Sequence, residues 1–210
     1  FTYTISHDLR QALRGILTNV QMLEHPDEPH SGKLDRIQHN AQQLNHILED
    51  LLDMRRLARC ELRPTPTDLT KLARQVSEWL YQSYPDRRDS IEVQPGLTVT
   101  ADQKMLRRVC EELLDNALKF SPPTAKVHVG ALEDGLTFFI RNQGPGFDPQ
   151  YRAKIFEPFE RLENDYATPG TGIGLAKALR IVRRHGGRIW AESEPGESAT
   201  FYFSLNPLLL

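Results

Sequence analysis

Cysteine is scarce in this chain. Two thiols, Cys60 and Cys110, stand far apart and in no C-x-x-C spacing. That excludes a disulfide framework and a cysteine zinc site, and it fits a reducing, cytoplasmic setting. Long apolar runs are lacking as well; none approaches the roughly 18–20 residues a membrane-spanning helix needs. Nor does one sign of charge dominate, since 26 Lys and Arg meet 28 Asp and Glu for a formal net charge of −2. Without a basic footprint, neither nucleic acid nor an anionic membrane is an expected partner. Proline is absent between His30 and Arg63, and Gly15 and Gly32 are the only glycines before Gly96. Both residues break helices, so the part before Pro64 reads as all-helical and the rest, where both recur, as mixed. What remains is ordinary: 39% hydrophobic and 26% charged residues in a chain of 210. Such values argue for a folded protein of one large or two small domains. The chain begins at Phe1, inside a helical pattern and without an initiator Met, which reads as a fragment of something longer.

Two helices fit the first part. Residues 1–24 carry Ile5, Leu9, Ala12/Leu13, Ile16 and Val20 on one stripe, and His25 to His30, with Pro26 and Pro29, read as a turn. Residues 31–59 carry Leu34, Ile37, Ala41, Leu44, Leu48 and Leu51, alternately three and four apart. This heptad-like seam predicts a hairpin packed along a nearly parallel partner axis. Two helices alone bury too little. A second copy completing a four-helix bundle is expected, packing on the chain's own C-terminal domain being the alternative. The expected domains are 1–63 and 64–210, with Pro64-Thr65-Pro66 as a stiff linker. Beyond it, helices over about 69–80, 101–120 and 173–185 interleave with strands. Those strands lie at Ile91/Val93, Leu97/Val99, 127–131 and 136–140, with a last hairpin pairing Ile189/Ala191 with Phe201/Phe203/Leu205. The pattern predicts an α+β two-layer sandwich, helices on one face of a mixed sheet.

Four clusters could do chemistry. In Ser6-His7-Asp8-Leu9-Arg10-Gln11, His7 emerges at the edge of the apolar stripe. A neutral imidazole is a nucleophile near pH 7, and the adjacent Asp8 can fix its tautomer or accept its proton. Gln11 lies one turn along the same face. Taken alone, His7 reads equally as a surface histidine, as His25, His30, His39, His46, His128 and His185 do. In Glu111 to Ser121, Glu112 and Asn116 share a helix face with Lys119 one turn on. A carboxylate with an amide oxygen suits Mg²⁺, and a lysine suits phosphate. A solvated helix face would explain the charges but not Asn116, a middling helix former set among leucines. Asn142-Gln143-Gly144-Pro145-Gly146-Phe147 and Gly170-Thr171-Gly172-Ile173-Gly174-Leu175 are loops where backbone can approach a ligand closely. The second runs into a helix, whose N-terminus makes an anion site fit for phosphates.

In this order the clusters resemble the transmitter module of two-component sensor histidine kinases over essentially the whole chain. Ser6 to Arg10 is similar to the phosphoacceptor box, Glu112 to Ser121 to the N box, and Asn142 to Phe147 to the first glycine box. Phe156-Glu157-Pro158-Phe159 resembles the F box, and Gly170 to Leu175 the second glycine box. Gly186 to Ser193 with the closing hairpin is similar to bacterial phytochrome-type kinases. The resemblance implies a dimerisation and histidine-phosphotransfer hairpin (1–63) and an ATP-binding domain of the gyrase/Hsp90/MutL type (64–210). It implies ATP and Mg²⁺ as cofactors, a homodimer, a response regulator receiver domain as partner, and a sensory domain upstream in the full-length chain. His7 would accept the γ-phosphoryl group, with Asp8 as proton partner. Asn116 would hold Mg²⁺, with Glu112 as second ligand or base, and Lys119 would approach the phosphates. Asn142 would read adenine, with Thr200 nearby. Gly144, Gly146, Gly170, Gly172 and Gly174 would shape the pocket and its lid, anchored by Phe156 and Phe159.

Departures from the pattern bear on activity. The first glycine box normally opens with Asp; Asn142 loses the charge assistance, roughly 1 kcal/mol in a buried site, so ATP binding is expected to be weakened. Ala12 stands where the phosphoacceptor helix usually has Pro, which predicts a straighter helix past His7. Gln11 replaces the usual Thr or Asn but keeps a carboxamide able to orient water against a phospho-aspartate. Ser198 replaces a common closing glycine. The expected function is an ATP-dependent histidine kinase module. The alternatives are a module acting mainly as a response-regulator phosphatase, or a non-enzymatic dimeric scaffold.

Overall fold

A computed structural model describes residues 13–18, 20, 33–162 and 170–206. The chain divides into two compact units, Phe1–Arg59 with Pro169–Thr171, and Cys60–Thr168 with Gly172–Leu210. In the first unit, residues 13–18 are helical and α1 spans Lys33–Arg59. The two segments approach closely at Gly15, where a Cβ would stand 2.6 Å from the Asn40 carboxamide nitrogen. Along α1 no residue of the expected seam is buried, and Ile37, Leu44 and Leu51 are half-buried. Ile47, Met54 and Leu57 are buried, whereas Leu34 and Leu48 of that seam, with Leu52, stay exposed. Leu13, Leu17 and Val20 are exposed too. The apolar stripe of the hairpin is therefore wider than the face that the described residues cover.

The second unit is the α+β sandwich. Its strands are β1 (Thr65–Asp68), β2 (Ile91–Val93), β3 (Thr98–Ala101), β4 (Val127–Ala131), β5 (Thr137–Gln143), β6 (Arg188–Glu194) and β7 (Ser198–Ser204). Its helices are α2 (Leu69–Leu80), α3 (Gln103–Lys119) and α4 (Gly174–Arg184). Five strands form a mixed sheet in the order β2-β4-β5-β7-β6, parallel at β2/β4 and antiparallel elsewhere. Strand side chains alternate between faces. One face therefore carries Val127, Val129, Phe138, Ile140, Phe201 and Phe203, all buried. The helices pack against the sheet, and Leu72 and Val76 of α2, Val109 and Leu113 of α3, and Ile181 and Val182 of α4 are buried likewise.

Local chemistry starts and stops these helices. Asp68 caps α2 by accepting from Lys71 N–H at 2.8 Å. Asp102 caps α3 by accepting from Lys104 and Met105 N–H at 3.0 and 3.1 Å. α4 ends in a Schellman turn: Gly186, at φ +67°, donates to Arg183 O and Gly187 donates to Val182 O. One expectation needs correction. The proline-rich linker is itself partly strand, because Thr65–Asp68 pairs antiparallel with β3. A two-stranded ribbon is all edge, and an edge tolerates the missing N–H of Pro66.

Candidate nucleotide site

α3 and α4 lie antiparallel, fixed at one end by a histidine. His185 is fully buried, not the surface residue expected. Its Nε2 accepts from the Asp102 backbone N–H at 3.0 Å, and its Nδ1 lies 2.9 Å from Ile181 O. The tautomer protonated on Nδ1 satisfies both contacts. This joins the cap of α3 to the last turn of α4. Two to three turns along α3, Glu112 therefore meets the start of α4. A Cβ on Gly174 would stand 2.5 Å from Glu112 Oε2, and Lys177 Nζ is ion-paired with Glu112 Oε1. Sequence reasoning missed Lys177. The signal was present: it lies three residues after Gly174 and four before the buried Ile181, a cation on the inward stripe.

Asn116, half-buried on the same face as Glu112, has no side-chain hydrogen bond among the described residues. Lys119, expected to face phosphate, is turned to Asp115, Nζ to Oδ2 at 2.5 Å. Tyr84 donates its hydroxyl to Asp115 Oδ1 at 2.7 Å. Burial, and then that contact with Asp115, raises the Tyr84 pKa above the usual phenol value. Below this chain, buried Arg87 closes the end of α3. Its guanidinium donates to the carbonyls of Leu118, Ser121 and Ala125 at 3.0, 2.8 and 3.3 Å. Burial pulls the Arg87 pKa down.

Asn142 continues the helix-facing column of Phe138 and Ile140 and is 2% exposed. Its Nδ2 lies 3.5 Å from Phe120 O, at the cap of α3. Gly144 is pressed against that same carbonyl; a Cβ there would come within 2.1 Å of it. Gly146, at φ +58°, packs on Ser193 and on the turn between β6 and β7. Phe147 N–H donates to Ser193 Oγ at 2.7 Å. The F box and the second glycine box also meet. Phe159 is buried at φ +67° and donates its N–H to Gly172 O at 2.9 Å. Phe156 packs edge-on against Phe201, centroids 6.4 Å apart. Among the described residues, a Cβ on Gly170 would meet no atom within 4 Å. Ile173 caps α4 with no side-chain hydrogen bond, which leaves first-turn amides for an anion.

Thr200 is not brought to this cluster. It lies out of step with Ala199 and Phe201, so it shares the opposite face with Arg141, whose Nε donates to Thr200 Oγ1 at 3.0 Å. Strand parity excludes it from the helix side. His7, Asp8, Gln11 and Ala12 lie outside the described residues.

The donors fit a hard cation in part. Asn116 Oδ1 is suitable, whereas Glu112 is engaged by Lys177. No group of three or more His, Cys, Asp or Glu among the described residues could hold a metal. A Mg²⁺ here would take most of its ligands from phosphate and water. No helix among the described residues is long and apolar enough to cross a membrane.

Comparison with known proteins agrees with this geometry. Residues 101–208 match the family of histidine kinase-, DNA gyrase B-, and HSP90-like ATPases. Residues 1–59 match the His Kinase A phospho-acceptor domain. The chain is 33% identical to phytochrome-like protein Cph1 of Synechocystis, over 98% of this chain and 28% of that protein. Full-length ShkA, solved in complex with AMPPNP, superposes with a TM-score of 0.61 at 29% identity, over 98% of this chain and 45% of that one. Histidine kinase ThkA, solved in complex with response regulator TrrA, shares the fold with a TM-score of 0.77 at 20% identity, over 99% of this chain and 61% of that one. The chain belongs to the histidine kinase-, DNA gyrase B-, and HSP90-like ATPase family, and with its phospho-acceptor segment it is a histidine kinase transmitter module. It spans little more than a quarter of the length of its phytochrome-like relative.

Proposed function

We propose that this module moves the γ-phosphoryl group of ATP to His7 and exchanges it with an aspartate of a response regulator receiver domain. The observation that carries the reading is the antiparallel α3/α4 pair. It sets Glu112 against the glycine-led start of α4, with Asn116 one turn along the same face of α3. The first-turn amides of α4 hold phosphate oxygens, and the helix dipole favours their charge. Asn142, beside the cap of α3, gives the adenine a polar edge. Mg²⁺, when bound, would neutralise charge on the phosphates, and Asn116 is the residue best fitted to hold it. A His7 ring nitrogen attacks the γ-phosphorus as the bond to the ADP oxygen breaks, and Asp8 takes the ring proton. Transfer of this kind is mostly positioning and charge stabilisation, which explains two separate units.

AMPPNP in ShkA and a response regulator beside ThkA support nucleotide and receiver as ligands of this chain. The exposed Leu34, Leu48 and Leu52 support a homodimer through the hairpin. A sensory domain upstream would fit the phytochrome-like relative. The test is labelling by radioactive ATP with Mg²⁺: wild type should incorporate acid-labile phosphate and His7→Ala none. Equal labelling of the two overturns the assignment. Asn142 favours a second reading, a module run mainly as a receiver phosphatase, because its buried group is a neutral carboxamide. Gln11 would then orient the attacking water. A phospho-receiver that decays equally fast with and without the protein rejects that reading.

A further inference from the structure

We propose that Lys177 is a resident cation of the nucleotide site, one that cancels the charge of Glu112 and lets the site accept a polyphosphate with little help from a divalent ion. This rests on the reading of the α3/α4 cleft as an ATP site. The Glu112 carboxylate is wedged between two parts of α4. One oxygen is ion-paired with Lys177 Nζ, and the other lies where a Cβ on Gly174 would come within 2.5 Å. The two side chains are only 22% and 14% exposed, so water screens the charges poorly. An uncompensated carboxylate there would oppose a triphosphate arriving at the first turn of α4. Lys177 removes that opposition. The same pairing keeps Glu112 from acting as a base or a metal ligand until the ammonium is drawn away.

The experiment is titration of the whole chain with trinitrophenyl-ATP, once in EDTA and once in excess Mg²⁺. The proteins are wild type, Lys177→Met, Lys177→Arg and the double variant Lys177→Met/Glu112→Gln. One poorly screened charge pair sets the scale, so Lys177→Met should weaken metal-free binding about tenfold. Mg²⁺ should recover most of that loss, as should Lys177→Arg and the double variant in EDTA. Metal-free binding by Lys177→Met as tight as wild type overturns the proposal, even if thermal unfolding shows the variant to be less stable. A double variant as weak as Lys177→Met overturns it too. Wild type that binds nucleotide in neither buffer overturns the ATP-site reading and takes this proposal with it. An unchanged Lys177→Met beside a binding wild type overturns this proposal alone.

Discussion

Replacing Asn142 by Asp tests the adenine contact, and the structure makes the expected result two-sided. A charged acceptor would strengthen a hydrogen bond from the adenine amino group by about 1.4 kcal/mol, or about tenfold in Kd. The same change costs stability in the absence of nucleotide. Asn142 is 2% exposed and its Nδ2 lies 3.5 Å from Phe120 O. In Asn142→Asp that carbonyl loses its donor and faces a buried carboxylate, a penalty of about 1–3 kcal/mol. Thermal unfolding with and without ATP separates the two effects. At ATP ten times the wild-type Kd, bound ligand stabilises wild type by about 1.4 kcal/mol and a variant binding tenfold tighter by about 2.7 kcal/mol. For a protein of this size the ATP-induced rise in Tm should exceed that of wild type by roughly 3–5 °C, from a lower starting Tm. Labelling of His7 should increase alongside. An equal or smaller ATP-induced rise in the variant refutes the contact between Asn142 and adenine. A larger rise with no gain in labelling moves the defect to the phosphoacceptor helix and Ala12.

Two further predictions concern the frame around the site. His185→Leu removes the acceptor for Asp102 N–H and the partner of Ile181 O; leaving buried backbone groups unpaired should lower unfolding free energy by about 2 kcal/mol in urea titrations. An unchanged midpoint would mean that the α3/α4 register does not depend on it. The cysteines should differ in reactivity, because Cys60 is exposed while burial pushes the Cys110 thiol from 9.0 up to about 12. One thiol per native chain should react with iodoacetamide at pH 8, and two in denaturant, counted by mass spectrometry. The sign for stability follows: unfolded Cys110 ionises first, so its contribution is complete below pH 9 and is lost as pH rises towards 12. Modification of both thiols in the native protein would contradict its burial.

The sequence by itself determined whatever depends on near neighbours. The distribution of Pro and Gly separated a helical hairpin from a mixed domain. Helical and strand periods located α2, α3, α4 and the strands β4 to β7. Asp68 and Asp102 start their helices, and Gly186-Gly187 ends α4, through contacts within a few residues. The order of the Asn116 helix and the glycine loops was enough to suggest the family. Tertiary structure decided the rest. Strand pairing turned Thr65–Asp68 from linker into β1, and the register of β7 placed Thr200 with Arg141 on the far face. His185 reads as a surface residue in one dimension because the group it serves, Asp102 N–H, is 83 residues away. Arg87 likewise closes α3 from more than thirty residues off. Lys177 reads as an ordinary helix charge, and Glu112 as a metal ligand or base, until α3 and α4 are laid antiparallel and the two pair. The physical reason is common to all of these: a buried polar group must find its partner wherever the packed fold supplies one, and packing is indifferent to distance along the chain.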